Sequence, residues 1–181
     1  MEFNKSVKLL TSIIICEVAG SVGALFSSPQ IEGWYRTIKK PAFNPPSWVF
    51  GPVWTAIFVL MGVSLYLVWD KKFEIKNKFS FGKAVNSKGW HARLLSGSWK
   101  KINIISIFIL QLFLNVLWSF LFFALHNPGV AFFELIMLWF AIIFTIVNFY
   151  RVSKNAAILM VPYILWVSFA AVLNLSIWLL N

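Results

Sequence analysis

The chain has 181 residues, of which 60% are hydrophobic, 18% aromatic and only 12% charged, with a formal net charge of +10. Soluble domains carry about 25% charged residues, so this composition excludes an ordinary soluble enzyme and indicates an integral membrane protein. A single cysteine, Cys16, and two distant histidines, His91 and His126, exclude a disulfide framework and a Cys- or His-based metal centre, and no cofactor is expected.

Five windows are apolar over roughly the 20 residues a helix needs to cross a hydrocarbon core: Leu9 to Phe26, Val49 to Trp69, Ile102 to Leu125, Val130 to Tyr150 and Ala156 to Leu180. The expected fold is an all-α, single-domain bundle of five transmembrane helices. Lys5 and Lys8 precede the first apolar run, as in a signal peptide. That run is longer than the roughly 7–15 residues of a signal core, carries Glu17 and lacks an A-x-A-like exit, so it is expected to be a retained span. Glu17, Gly20 and Ala24 fall on one helical face, and the small residues permit close helix approach. The connection from Ser27 to Ser47 holds Pro29, Pro41, Pro45 and Pro46, which predicts no continuous helix there. WYRTIK between these prolines is expected to form one helical turn, and Ser47 to cap the second span, with Pro52 tolerated near its start. Trp34, Trp48, Trp69 and Trp178 suit interfacial anchoring, while Arg36, Lys39 and Lys40 suit lipid phosphates or an acidic ligand.

The segment from Asp70 to Lys101 mixes Lys, Ser, Gly and Asn. With five spans the termini lie on opposite sides, and thirteen of the sixteen Lys and Arg fall on the N-terminal side. The asymmetry predicts a cytoplasmic N-terminus, with the C-terminus and the first loop outside. The basic 70–101 segment then reads as a topology determinant and a contact for anionic lipids, and no nucleic-acid partner is expected. Lys, Asn, Ile and Phe richness suits a low-GC bacterial gene, hence a bacterial cell membrane. His126 to Gly129 and Arg151 to Asn155 are turns too short for anything but antiparallel neighbours. Five spans do not divide into equal halves, which argues against the repeat-built transporters.

Polar groups in hydrocarbon usually face a bundle interior or a cavity. At about 1.5 Å per residue, Glu134 and Trp54 lie within two turns of the outer face. Asn174 and Trp118 are about as deep, Glu17 and Asn115 deeper, and Gln111 and Trp166 near mid-membrane. Gln111, Asn115 and Trp118 share one face of the third span. Tyr163, Trp166, Ala170 and Asn174 share one of the fifth, just after the helix-kinking Pro162. Trp54, Trp118 and Trp166 are therefore either pocket walls or core packing. Asn115 and Asn174 suit hydrogen bonds between helices, Glu134 a position reaching the interface. Glu17 has no Lys or Arg at membrane depth to pair with, and is expected either to be protonated or to meet a polar or cationic partner.

Three segments carry a family likeness: WYRTIKKPAFNPPSWVFGPVWTAIFVLMGVSLYLVW from Trp34 to Trp69, QLFLNVLWSFLFF from Gln111 to Phe123, and PYILWVSFAAVLN from Pro162 to Asn174. With Gly20 and Gly23 before Phe26 and an acidic Glu134, the chain closely resembles the TspO/MBR family, also called translocator proteins, tryptophan-rich sensory proteins or peripheral-type benzodiazepine receptors. The resemblance implies a five-helix bundle, often a homodimer, binding porphyrins and synthetic aromatic drugs beneath a lid-like first loop. It makes Trp54 and Trp166 the pocket indoles and places Asn115 and Trp118 on a neighbouring wall. Ala170 becomes the small residue linked to affinity. Phe169 and Gln111 join the ligand contacts, and Tyr35, Pro45 and Pro46 the lid. The family's sterol motif is broken, because Leu175 stands where Tyr is needed and Leu179 where a basic residue is needed. Sterol is accordingly not an expected ligand.

The leading expectation is a tetrapyrrole-binding membrane protein acting as sensor, carrier or scavenger, with Arg36, Lys39 or Lys40 meeting the propionates. An alternative that the resemblance brings is oxidative or light-dependent porphyrin degradation. The sequence offers no Ser/His/Asp set or cofactor loop for it, leaving Trp54 and Trp166 as the candidates. A second alternative is proton-coupled transport using Glu17 or Glu134.

Overall fold

The computed structural model describes residues 4–69 and 97–181, with side chains resuming at Ile104. The basic 70–101 segment therefore lies almost wholly outside the described residues. Five helical stretches are long and apolar enough to cross a membrane: Lys5–Glu32, Ser47–Trp69, Ile104–Ala124, Pro128–Val152 and Lys154–Leu180. No strand occurs among the described residues. The helices are α1 (Lys5–Glu32), the single turn α2 (Trp34–Thr37), α3 (Phe50–Trp69), α4 (Gly97–Ser119), α5 (Pro128–Val152), α6 (Lys154–Leu159) and α7 (Val161–Leu180).

The WYRTIK turn forms as expected, as α2. The first span differs: α1 runs on past Phe26 through Pro29 to Glu32. A proline so close to a helix end removes only the bond to the Leu25 carbonyl, and the last turn closes beyond it. Ser47 also differs, for it begins a 3-10 turn, Ser47–Val49, with no side-chain cap; Pro46 accepts from the Val49 N–H instead. Trp34, expected as an interfacial anchor, stacks on His126 with centroids 4.5 Å apart and meets the Phe122 ring edge-on. Trp48 remains well exposed.

At the far end of α4 the backbone widens into a π segment, Phe120–Ala124, closed by a bond from the Leu125 N–H to the Phe120 carbonyl at 3.0 Å. The extra residue per turn swings both Phe122 and Phe123 into the interior. Asn127 then caps α5, its Oδ1 accepting from the Val130 N–H at 3.1 Å, with Pro128 in the first turn. The fifth span is broken at Met160, just before Pro162, which divides it into α6 and α7.

The spans close into a ring. α1 packs between α3 and α4, α4 lies on α5, α5 on α7, and α6 returns to α3. Ser64 seals that last seam by donating to the Ala156 carbonyl at 2.8 Å in a buried position. α3 meets α7 only sparsely. The ring is consequently tight at the end holding α6 and open towards the end holding α2. Two glycines let α1 and α3 approach closely: a Cβ on Gly62 would lie 2.5 Å from the Ile13 Cα, and one on Gly20 the same distance from the Phe58 ring.

Candidate functional site

At the open end the ring encloses a cavity of about 250 Å³. α1 contributes a strip of small and polar side chains, Glu17, Gly20, Ser21, Ala24 and Ser28. α3 contributes Phe50, Trp54 and Phe58, α4 Asn115 and Trp118, the π segment Phe122 and Phe123, and α7 Trp166, Phe169, Ala170 and Asn174. Three tryptophans from three different spans thus converge on one space. Each is held by aromatic neighbours. Trp54 stacks on Phe58 at 5.7 Å, Trp118 on Phe122 at 5.4 Å, and Trp166 packs against Phe169 at 5.5 Å and Phe50 at 6.2 Å. Edge and offset contacts of this kind fix ring orientation.

Hydrogen bonds between helices stiffen these walls. Asn115 Nδ2 donates to the Tyr163 hydroxyl at 3.0 Å. Asn174 accepts from the Trp118 indole N–H at 3.1 Å, and its own amide donates to the Pro128 carbonyl at 2.7 Å. The Trp139 indole donates to Ser168 Oγ at 2.9 Å, joining α5 to α7. The indole N–H groups of Trp54 and Trp166 make no hydrogen bond among the described residues, so both remain available to a ligand.

The loop after α2 sits beside this cavity. A second recess, about 490 Å³, is lined by Ile31, Glu32, Tyr35, Arg36, Lys40, Asn44, Pro45, Pro46 and Ser47, and it shares Ile31 and Tyr35 with the first. Tyr35 is buried between the two. Its hydroxyl donates to Asn44 Oδ1 at 2.6 Å, and Lys40 Nζ lies 4.9 Å from its ring centroid. Burial pushes the Tyr35 phenol up to about 12, against the opposing pull of the Asn44 bond, so it stays a donor across physiological pH. The loop is tied down at both flanks. Lys39 exchanges two backbone bonds of 3.0 Å with the Asn181 side chain, and His126 Nε2 lies 3.1 Å from Gln30 Oε1.

Of the residues singled out from sequence, Trp54, Trp166, Asn115, Trp118, Ala170, Phe169 and Tyr35 line the first cavity, and Pro45, Pro46, Arg36 and Lys40 line the second. Lys39 lines neither. Gln111 also stands apart, fully buried, with both amide atoms unpartnered among the described residues. Glu134, expected to reach the interface, is buried in α5, and neither carboxylate oxygen has a partner among the described residues. Phe50, Phe58, Phe122 and the serines of α1 were not anticipated as lining. Extending the Glu17, Gly20, Ala24 face by further turns would have reached Ser28 and Ile31. Single phenylalanines carry no such signal among nineteen.

A family model described as the TspO/MBR family matches residues 12–179. The chain is 37% identical over 175 residues to Tryptophan-rich protein TspO of Archaeoglobus fulgidus, covering 97% of each chain. It is 36% identical to the protein of the same name from Chlorobaculum tepidum, covering 98% of this chain and 99% of that one. Similarity reaches the human Translocator protein, 31% identical over 89% of this chain and 85% of that one.

Proposed function

Because the chain belongs to the TspO/MBR family, we propose that this multi-pass membrane protein binds porphyrins and related flat hydrophobic ligands in the cavity of α1, α3, α4 and α7, as a sensor, carrier or scavenger. The observation that carries this reading is the convergence of Trp54, Trp118 and Trp166 beside a recess bearing Arg36 and Lys40. A macrocycle is flat, aromatic and apolar on both faces, with acidic propionates on one edge. Indole rings suit the faces, and the two cations suit the edge. Residues 33–46 act as a lid in this reading, with Tyr35 as the partition between ring and propionate compartments. The charge asymmetry of the sequence supports a topology in which this loop is outside and the N-terminus cytoplasmic.

The test compares protoporphyrin IX with its dimethyl ester, which keeps the ring and removes both carboxylates. Wild-type protein is expected to bind the acid more tightly than the ester. Arg36→Gln with Lys40→Gln should weaken the acid by about tenfold while leaving the ester unchanged, since a hydrogen bond to a charged group is worth about 1.5 kcal/mol or more. Arg36 also pairs with Glu32 at 3.4 Å, but both side chains are exposed and that contact is worth little. Equal affinity for acid and ester in wild type and variant alike would contradict the propionate assignment.

A further inference from the structure

The first cavity is chemically lopsided. Glu17 lines its inner end, and Glu17 Oε1 is buried without a hydrogen-bond partner. No Lys or Arg lines this cavity among the described residues; the cations Arg36 and Lys40 belong to the loop-side recess. The two amides of the opposite wall are already engaged, because Asn115 Nδ2 serves Tyr163, and Asn174 serves Trp118 and Pro128. Among the described residues no partner satisfies Glu17 Oε1, and leaving a buried polar atom unmatched is costly.

Small residues border Glu17 along α1. Gly20 and Ala24 follow Glu17 along the cavity side of α1, and the Gly20 position has no room for a Cβ against Phe58. Because Gly20 faces Phe58, Glu17 lies one turn deeper and Trp54 one turn nearer the loop. At 1.5 Å per residue the two are separated by roughly 10 Å along the bundle axis. That is about the reach of a fused aromatic ring system.

We propose that Glu17 is a specificity-determining ligand contact. A flat aromatic molecule held among Trp54, Trp118 and Trp166 presents an N–H donor or a cationic nitrogen to this carboxylate at its inner end. The inference rests on the cavity being the binding site for flat ligands, and it adds a class: aromatic cations and N–H donors, selected over neutral aromatics of the same shape.

The acridine pair isolates that chemistry. 9-Aminoacridine is a flat cation with N–H donors, whereas acridine is its neutral counterpart at pH 8. Both are titrated by fluorescence into full-length protein in uncharged detergent, where the protein's own positive charge disfavours unspecific uptake of the cation. Wild type is expected to bind 9-aminoacridine about tenfold more tightly than acridine, the ratio that one charge-assisted contact supplies. Glu17→Gln should bring the two affinities within twofold, and Glu17→Asp should keep part of the preference. Unchanged acridine affinity in both variants would show that the cavity is intact. A preference that survives Glu17→Gln overturns the Glu17 assignment. Trp54→Phe with Trp166→Phe should weaken both probes equally; if it weakens neither, the cavity reading fails separately from the Glu17 assignment. Absence of saturable binding of either probe overturns both.

Discussion

Replacing Gly62 with alanine is expected to lower the thermal unfolding midpoint in detergent by several degrees. The added Cβ would lie 2.5 Å from the Ile13 Cα and 2.9 Å from the Ile13 nitrogen. These are backbone atoms of a neighbouring span, so no side-chain rotation relieves the clash and α1 must move away from α3. Overpacking of this kind costs about 1–3 kcal/mol. Gly51→Ala is the control. Its Cβ meets nothing within 4 Å, and alanine is the better helix former by up to ~1 kcal/mol, so the midpoint should hold or rise. If the two substitutions behave alike, the close approach of α1 and α3 is wrong, and with it the tight end of the ring.

Asn174→Ala is expected to be the most damaging single change at the cavity wall. Asn174 is 1% exposed and satisfies two groups at once, the Trp118 indole N–H and the Pro128 carbonyl. Truncation leaves both without that partner, at about 1–3 kcal/mol for each buried polar group. Trp118 also loses the bond that fixes its indole, so protoporphyrin IX affinity should fall together with stability. Asn174→Gln is a milder test, because it keeps the chemistry and displaces it by one methylene. A stable Asn174→Ala protein with full affinity would show that the bridge from α4 through α7 to α5 does not organise the site.

The five spans and the turn at Trp34 to Thr37 were legible because apolar length and proline placement are strong signals. Helix boundaries were less so. Pro29 reads locally as a breaker, yet near a helix end it removes a single bond, and α1 continues to Glu32. Nothing in FLFFA signals a π segment, because its reward, the burial of Phe122 and Phe123 against Tyr35 and Trp118, exists only in the packed bundle. Face periodicity brought Trp118, Asn115, Trp166, Ala170 and Asn174 into view, since residues three or four apart share a helix surface. The same periodicity grouped Gln111 with Asn115 and Trp118, but one turn deeper the ring has closed and Gln111 is core. Which turn of a shared face meets a cavity is decided by the neighbouring helices. Here Gly62 and Gly20 draw α1 and α3 together, and the sparse contact of α3 with α7 leaves space nearer the loop.

The measurement that bears most directly on the proposed function is a titration of intrinsic tryptophan fluorescence with protoporphyrin IX, corrected for inner-filter absorption. Wild type is run beside the Trp54→Phe, Trp166→Phe variant. Saturable quenching in wild type is expected, with affinity reduced by about tenfold or more in the variant, since each indole contributes on the order of 0.5–1.5 kcal/mol of ring contact. Linear quenching that both proteins share would reveal mere partitioning of the porphyrin into detergent and would contradict a tetrapyrrole site between Trp54 and Trp166.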